Sequence, residues 1–136
     1  MSIANVQEGD DSTPPQVALI VEDNALVAET IADGLIAIGC ESVECVSSVN
    51  AALKAVDNHD VDIAVVETDV RGQSTEPVLA ALDAKDIAHV VASLDGCNPL
   101  PGHAPYLQKP FGFAELKAAV GQAREQASVR LWNRVK

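Results

Sequence analysis

Five side chains in this sequence could build one charged site: the adjacent carboxylates Glu22 and Asp23, the carboxylate Glu67, the hydroxyl of Ser93 and the ammonium of Lys109. Carboxylate oxygens suit a hard divalent cation, which makes Glu22, Asp23 and Glu67 candidate metal ligands. A serine hydroxyl can hydrogen-bond a phosphoryl oxygen, and a lysine brings a compact positive charge to a phosphate or a carboxylate. Three acids gathered in one place need a cation to coexist. Taken singly, each residue has an ordinary reading. Glu22 and Asp23 are also charges favoured at a helix N-terminus, Lys109 is also a surface lysine, and Ser93 is also a small residue that packs well at a strand end.

What would bring them together is an alternation of strands and helices. Val17 to Val21 is a short continuous apolar run, the pattern of a strand buried on both faces of a parallel sheet. Asp23 or Asn24 can cap a following helix with Leu26, Val27, Ile31, Leu35 and Ile38 near 3.6-residue spacing, ended by Gly39. The pattern repeats. Ser42 to Val46 predicts a second strand, and Ser47-Ser48 caps a helix carrying Ala51, Ala52, Leu53, Ala55 and Val56. Asp62 to Val66 predicts a third strand, Arg71 to Ser74 a loop, and Glu76 to Ala84 a helix whose Pro77 is tolerated in its first turn. His89 to Ser93 predicts the fourth strand. The stretch from Leu94 to Pro105 holds three prolines and two glycines, so the helix expected there is degraded. Tyr106 to Gln108 predicts a brief fifth strand. Phe113 to about Val129 predicts a last helix with Phe113, Leu116, Ala119, Val120 and Ala123 on one side, and Trp132 either packs at its end or marks a contact surface.

Such alternation implies right-handed crossovers and a parallel sheet covered by helices on both faces. Five strands at this length fit a flavodoxin-like doubly wound α/β fold, order 2-1-3-4-5. Sites in such sheets form at the C-terminal ends of the strands, near the switch in strand order. That rule selects Glu22, Asp23, Glu67, Ser93 and Lys109.

Composition narrows the function. A net charge of −11 argues against direct nucleic-acid binding and against docking on an anionic membrane. Three cysteines with no CxxC pair argue against a disulfide framework or zinc site and for a reducing, cytoplasmic setting. No apolar run approaches the roughly 20 residues that span a bilayer, and the N-terminus has no signal-peptide pattern. The expected organisation is a flexible leader over residues 1–16, a folded domain over 17–128, and a tail or helix extension over 129–136.

The order of the motifs adds a family resemblance. Val17-Ala-Leu-Ile-Val-Glu-Asp-Asn24, Asp62-Ile-Ala-Val-Val-Glu-Thr-Asp-Val-Arg-Gly72 and Tyr106-Leu-Gln-Lys-Pro-Phe111 each place acidic or basic residues after an expected strand. Together they resemble the response-regulator receiver domains of two-component signalling, across about Val17 to Gln126. Arg71-Gly72 after the third strand, and a proline in the next helix, are similar to single-domain and stress-response receivers of alphaproteobacteria. Val91-Ala-Ser-Leu-Asp-Gly96 stands where those often carry Phe-Ala-Thr-Gly-X-Tyr. The resemblance implies weak magnesium binding by Glu22, Asp23 and Glu67, phosphate or switch roles for Ser93, Lys109 and Tyr106, and a histidine kinase, phosphotransfer protein or downstream signalling protein as partner. It also permits a homodimer.

The chain departs from the family at one place. Glu67 stands where the phospho-accepting aspartate belongs. Its extra methylene moves the nucleophile by about 1.5 Å, one bond length, and a misplacement near 1 Å can cost about 100-fold in rate. Efficient phosphotransfer is therefore not expected. The longer arm carries its charge toward Lys109 and Ser93, where a phosphoryl group would sit, and so could imitate the phosphorylated state. A decayed site would carry the same substitution. Asp69 is a poor substitute acceptor, since its position in the loop should point it away from the strand ends. His59, His89 and His103 lie in unrelated contexts. The leading expectation is a non-enzymatic receiver that binds a partner through its last two strands and last helix. The alternative is a pseudo-receiver interaction module that has lost phosphorylation and metal binding. A magnesium-dependent phosphatase on a similar sheet is not favoured, since the loops of this sequence offer no separate acid or base and no cap domain is expected.

Overall fold

The computed structural model describes residues 14–58, 60–94 and 104–135. The elements run β1 (Val17–Val21), α1 (Ala25–Ile38), β2 (Ser42–Val46), α2 (Val49–Asn58), β3 (Ile63–Glu67), β4 (Asp69–Val70), β5 (Gln73–Ser74), α3 (Glu76–Ala84), β6 (Ala88–Ser93), β7 (Tyr106–Gln108) and α4 (Phe113–Val135). β4 and β5 form a separate two-stranded hairpin, and the other five strands form one parallel sheet in the order β2-β1-β3-β6-β7. Counting only that sheet, this is the expected order 2-1-3-4-5. The degraded helix expected between β6 and β7 falls largely on residues 95–103, which lie outside the described residues.

The central strands β1, β3 and β6 are largely apolar and buried because both faces of the sheet are covered there, whereas the edge strand β2 is partly exposed. Ala18, Ile20, Ile63, Val65 and Val90 face α1 and α4, meeting Ile31, Leu35, Leu116 and Val120. Leu19, Val21, Ala64, Val66 and Val91 face α2 and α3, meeting Ala52, Val56, Val78, Leu79 and Leu82. The change of face at each step is the period-2 geometry of a strand. Each fully buried Leu or Ile contributes about 1.5–3 kcal/mol relative to exposure. The core is almost wholly aliphatic, and α1 and α4 approach closely: a Cβ at Gly34 would lie 2.6 Å from Leu116 Cδ2.

Several sequence expectations change. Leu26 and Phe113, placed on core faces by helical spacing, are 74% and 47% exposed. Both sit in the first turn of their helices, ahead of the first buried positions Ala28 and Leu116. α4 does not end near Val129 but continues to Val135, because neither glycine nor proline occurs among the residues that follow Val129. Trp132 is exposed on this extension. The segment Arg71 to Ser74 is not a plain loop. Arg71 and Gly72 both have positive φ, 51° and 78°, and form the two-residue turn of the β4–β5 hairpin, the left-handed pair that tight hairpins use. Pro15 is buried, and the Gln16 carbonyl accepts from the backbone N–H groups of Glu41 and Ser42, so residues 14–16 are joined to the sheet.

Candidate functional site

The C-terminal ends of β1, β3, β6 and β7 converge, and four of the five candidate side chains converge with them. Glu22 follows β1 directly. Its backbone N–H donates to the Val46 carbonyl at 3.0 Å, and its Oε2 accepts from the Asn24 N–H at 3.1 Å. Asn24, rather than Asp23, caps α1: its Oδ1 accepts from the backbone N–H groups of Leu26 and Val27 at 3.0 and 3.2 Å. Glu67 is the last residue of β3. Its Oε2 accepts from Thr68 N–H at 2.9 Å and from the Thr68 hydroxyl at 3.0 Å. Lys109 follows β7, and its backbone N–H donates to the Ser93 carbonyl at 2.8 Å.

The Lys109 ammonium donates to Oε1 of both Glu22 and Glu67. All three are largely removed from water, with side-chain exposures of 8%, 4% and 12%. Burial alone would lower the lysine pKa. The hydrogen bonds and charges of Glu22 and Glu67 outweigh it and hold the ammonium above the ordinary lysine value of 10.5. Every oxygen of these two carboxylates thus has a donor. None is left pointing bare into the site as a nucleophile.

A cavity of about 600 Å³ opens over this triad. Glu22, Glu67, Ser93 and Lys109 lie on its polar side, Leu26, Val27, Ile31 and Phe111 on its apolar side, and Asp23 and Asp69 also line it. Two carboxylates, Glu22 and Glu67, therefore meet the lysine directly, and two more acidic residues border the cavity. The expectation that Asp69 points away from the strand ends is not met, since Asp69 borders the same cavity and is exposed. The hairpin folds it back over the site. Asp23 stands apart from the triad: its Oδ2 accepts from Arg71 N–H at 2.8 Å, holding the left-handed turn, while Arg71 Nη2 donates to Ser47 Oγ at 3.0 Å.

Ser93 is 3% exposed, and its Oγ lies 3.3 Å from the Thr68 hydroxyl oxygen, within hydrogen-bond distance. Tyr106 is half-buried against the core on the α2–α3 side and does not line the cavity. Two residues escaped the sequence reading. Thr68 links Glu67 to Ser93. Thr75, fully buried, spends its hydroxyl on the Glu67 carbonyl at 2.6 Å instead of capping α3. The available signal was a threonine directly after the acidic strand end and a second one just before the next helix. His89 lies at the opposite end of the sheet, with Nδ1 2.9 Å from the Ile87 carbonyl. Cys40 and Cys45 are free thiols; burial, reinforced by Asp62 and Glu44 respectively, raises both pKa values, so neither is a ready thiolate.

The expected metal ligands do not fit a divalent ion as arranged. Magnesium wants near-octahedral oxygen ligands. Here Glu22 and Glu67 direct their Oε1 atoms to the same ammonium, and Asp23 serves a backbone N–H. Among the described residues no three acidic, histidine or cysteine side chains form a group able to hold a metal. Among the same residues no helix is long and apolar enough to cross a membrane.

No family model and no curated protein matches this chain. Solved structures do. SdrG from Sphingomonas melonis Fr1 is 31% identical, with a TM-score of 0.73, covering 82% of this chain and 98% of that one. A response regulator receiver domain (CheY-like) from Methylobacillus flagellatus is 27% identical, with a TM-score of 0.68, covering 79% and 98%. The response regulator TrrA from Thermotoga maritima, solved in complex with Mg²⁺ and BeF, is 20% identical, with a TM-score of 0.69 and the same coverage, and shares the fold. The five-stranded parallel sheet and its order agree with these likenesses. The chain belongs to the response-regulator receiver domains.

Proposed function

We propose that this chain is an atypical receiver that signals by binding a protein partner, with Glu67 in the place of the phospho-accepting aspartate and imitating the phosphorylated state. The observation that carries the reading is the reach of Glu67. Its carboxylate extends to Lys109 while its second oxygen keeps both Thr68 donors, with Ser93 one hydrogen bond further on. A negative group thereby engages the lysine directly and reaches the Ser93 hydroxyl through Thr68, the lysine and the hydroxyl being the two groups that would otherwise receive a phosphoryl oxygen. The partner is a histidine kinase, a phosphotransfer protein or a downstream signalling protein in the cytoplasm, and the chain does not act as an enzyme. The signalling unit is residues 17–128, with 1–16 as a leader and 129–136 extending the last helix. Exposed Phe113, Val129, Leu131 and Trp132 on α4 supply apolar contact area on the last-helix face.

The alternative, a pseudo-receiver without phosphorylation or metal binding, is favoured by one observation: both buried acids are committed to Lys109. A single variant separates the readings. Glu67→Asp restores the ordinary acceptor, and an acyl phosphate with magnesium should add one labile phosphoryl group to it, detected by intact mass, while the unaltered chain gains none. If this variant stays unmodified under conditions where an ordinary receiver reacts, the switch is lost and the interaction module stands.

A further inference from the structure

We propose that Lys109 is the resident cation of this site: its ammonium holds the place between Glu22 and Glu67 that a divalent ion would need, and it closes the site to magnesium while leaving a latent metal site beneath it. The proposal rests on the receiver reading above and specifies how that site is regulated.

The argument begins with charge. Glu22 and Glu67 are buried side by side, and two like charges out of water need a counter-charge within a few ångströms. Lys109 supplies it to both at once. A magnesium ion could supply it too, but only after the ammonium has left, because two cations cannot share the same two oxygens without repulsion. Leaving is unfavourable for Lys109. Its backbone is fixed by the bond from its N–H to the Ser93 carbonyl, and with 8% exposure its head group has little water to take the place of the two carboxylates. Magnesium would also have to break the ties on the remaining oxygens, Asn24 N–H on Glu22 and the two Thr68 donors on Glu67. It would further have to recruit Asp23 from the Arg71 turn.

The length of Glu67 is what allows the closed arrangement. The additional methylene lets one oxygen meet Lys109 while the other stays on Thr68 beside its own backbone. Shortening this arm, or removing the ammonium, releases at least one carboxylate. The acids then revert to what their positions after β1 and β3 equip them for, a set of oxygen ligands open to the cavity. Displacing one partner from a buried ion pair typically costs about two powers of ten or more in an equilibrium constant, which sets the size of the expected effect.

The test is a magnesium titration followed by amide chemical shifts on the whole chain, for the unaltered protein and for Lys109→Met. The unaltered protein should show no saturable shifts at Glu22, Asp23 and Glu67 at concentrations that saturate an ordinary receiver run alongside. Lys109→Met should show saturable shifts at those amides with an apparent Kd at least about 100-fold lower. A second substitution, Glu67→Gln, should abolish them. If Lys109→Met does not fold, Lys109→Gln decides, since it keeps a hydrogen-bonding group but no charge. Saturation of the unaltered protein with the affinity of the variant, or no gain in whichever variant folds, overturns the proposal. Such a failure would leave the partner-binding reading intact, because that reading needs no metal. A failure of Glu67→Asp to take a phosphoryl group would likewise leave this titration fully readable.

Discussion

At the C-terminal end of the sheet, Lys109 lies between Glu22 and Glu67 beneath an open cavity. At the N-terminal end, Asp62 accepts from the backbone N–H groups of Gln16 and Val17 at 3.0 and 2.9 Å, and Asp83 lies 3.7 Å from His89 and 3.8 Å from Arg130. Both ends hold acids and bases, but they use them differently. The N-terminal charges are tied to backbone donors or meet across long contacts, between buried His89 or part-exposed Arg130 and part-exposed Asp83, that pin helices and the chain entry to the sheet. The C-terminal charges are buried against one another, and nothing in the fold requires them there. A parallel sheet can be closed at either end without an ion triad. Ionisable groups buried against one another beside a cavity mark function, whereas those tied to backbone groups or to helix ends at strand starts mark assembly.

Substitutions can break this contrast or sharpen it. The largest effect should come from Lys109→Met, which leaves two buried carboxylates without a cation. A loss of about 3–5 kcal/mol is expected, read from the urea midpoint at neutral pH. Raising the pH removes the same charge without removing the side chain and should do less. The folded pKa of Lys109 lies above its ordinary value of 10.5, so its contribution is fully present below that value. It is lost as pH rises through the raised folded value. Unfolding curves across the alkaline range should show this loss in the unaltered protein and not in Lys109→Met. Asp62→Ala breaks two exposed backbone contacts and should cost about 1 kcal/mol, with no change at the Glu67 amide. Arg130→Ala removes a long pair whose partners are 35% and 37% exposed, and should cost at most about 0.5 kcal/mol. An Asp62 or Arg130 effect as large as that of Lys109 would erase the distinction between the two ends.

The parallel sheet was legible because continuous apolar runs such as Val17 to Val21 and Asp62 to Val66 have few other solutions in a chain of this length. The site was legible because strand order fixes which loops meet, so Glu22, Glu67, Ser93 and Lys109 could be selected before any contact was known. The directions of side chains were not legible. Leu26 and Phe113 have the spacing of core residues, yet they are exposed in the first turns of their helices, and only the tertiary arrangement sets which turn the core first covers. Asp23 is adjacent to Glu22 but turns to a hairpin whose Arg71-Gly72 geometry depends on that very bond. Thr68 and Thr75 acquire roles only once β3 and the hairpin have fixed their hydroxyls around Glu67.

The central claim, that Glu67 holds the receiver in a phosphorylated-like state, is tested most directly by comparing three amide spectra: the unaltered chain, Glu67→Asp, and Glu67→Asp after reaction with an acyl phosphate. The account predicts that phosphorylation moves the spectrum of the variant toward that of the unaltered chain, at Ser93, Tyr106 and Lys109 first. If the unaltered chain instead coincides with the unphosphorylated variant and phosphorylation drives the spectra apart, Glu67 does not imitate the phosphoryl group and the claim is contradicted.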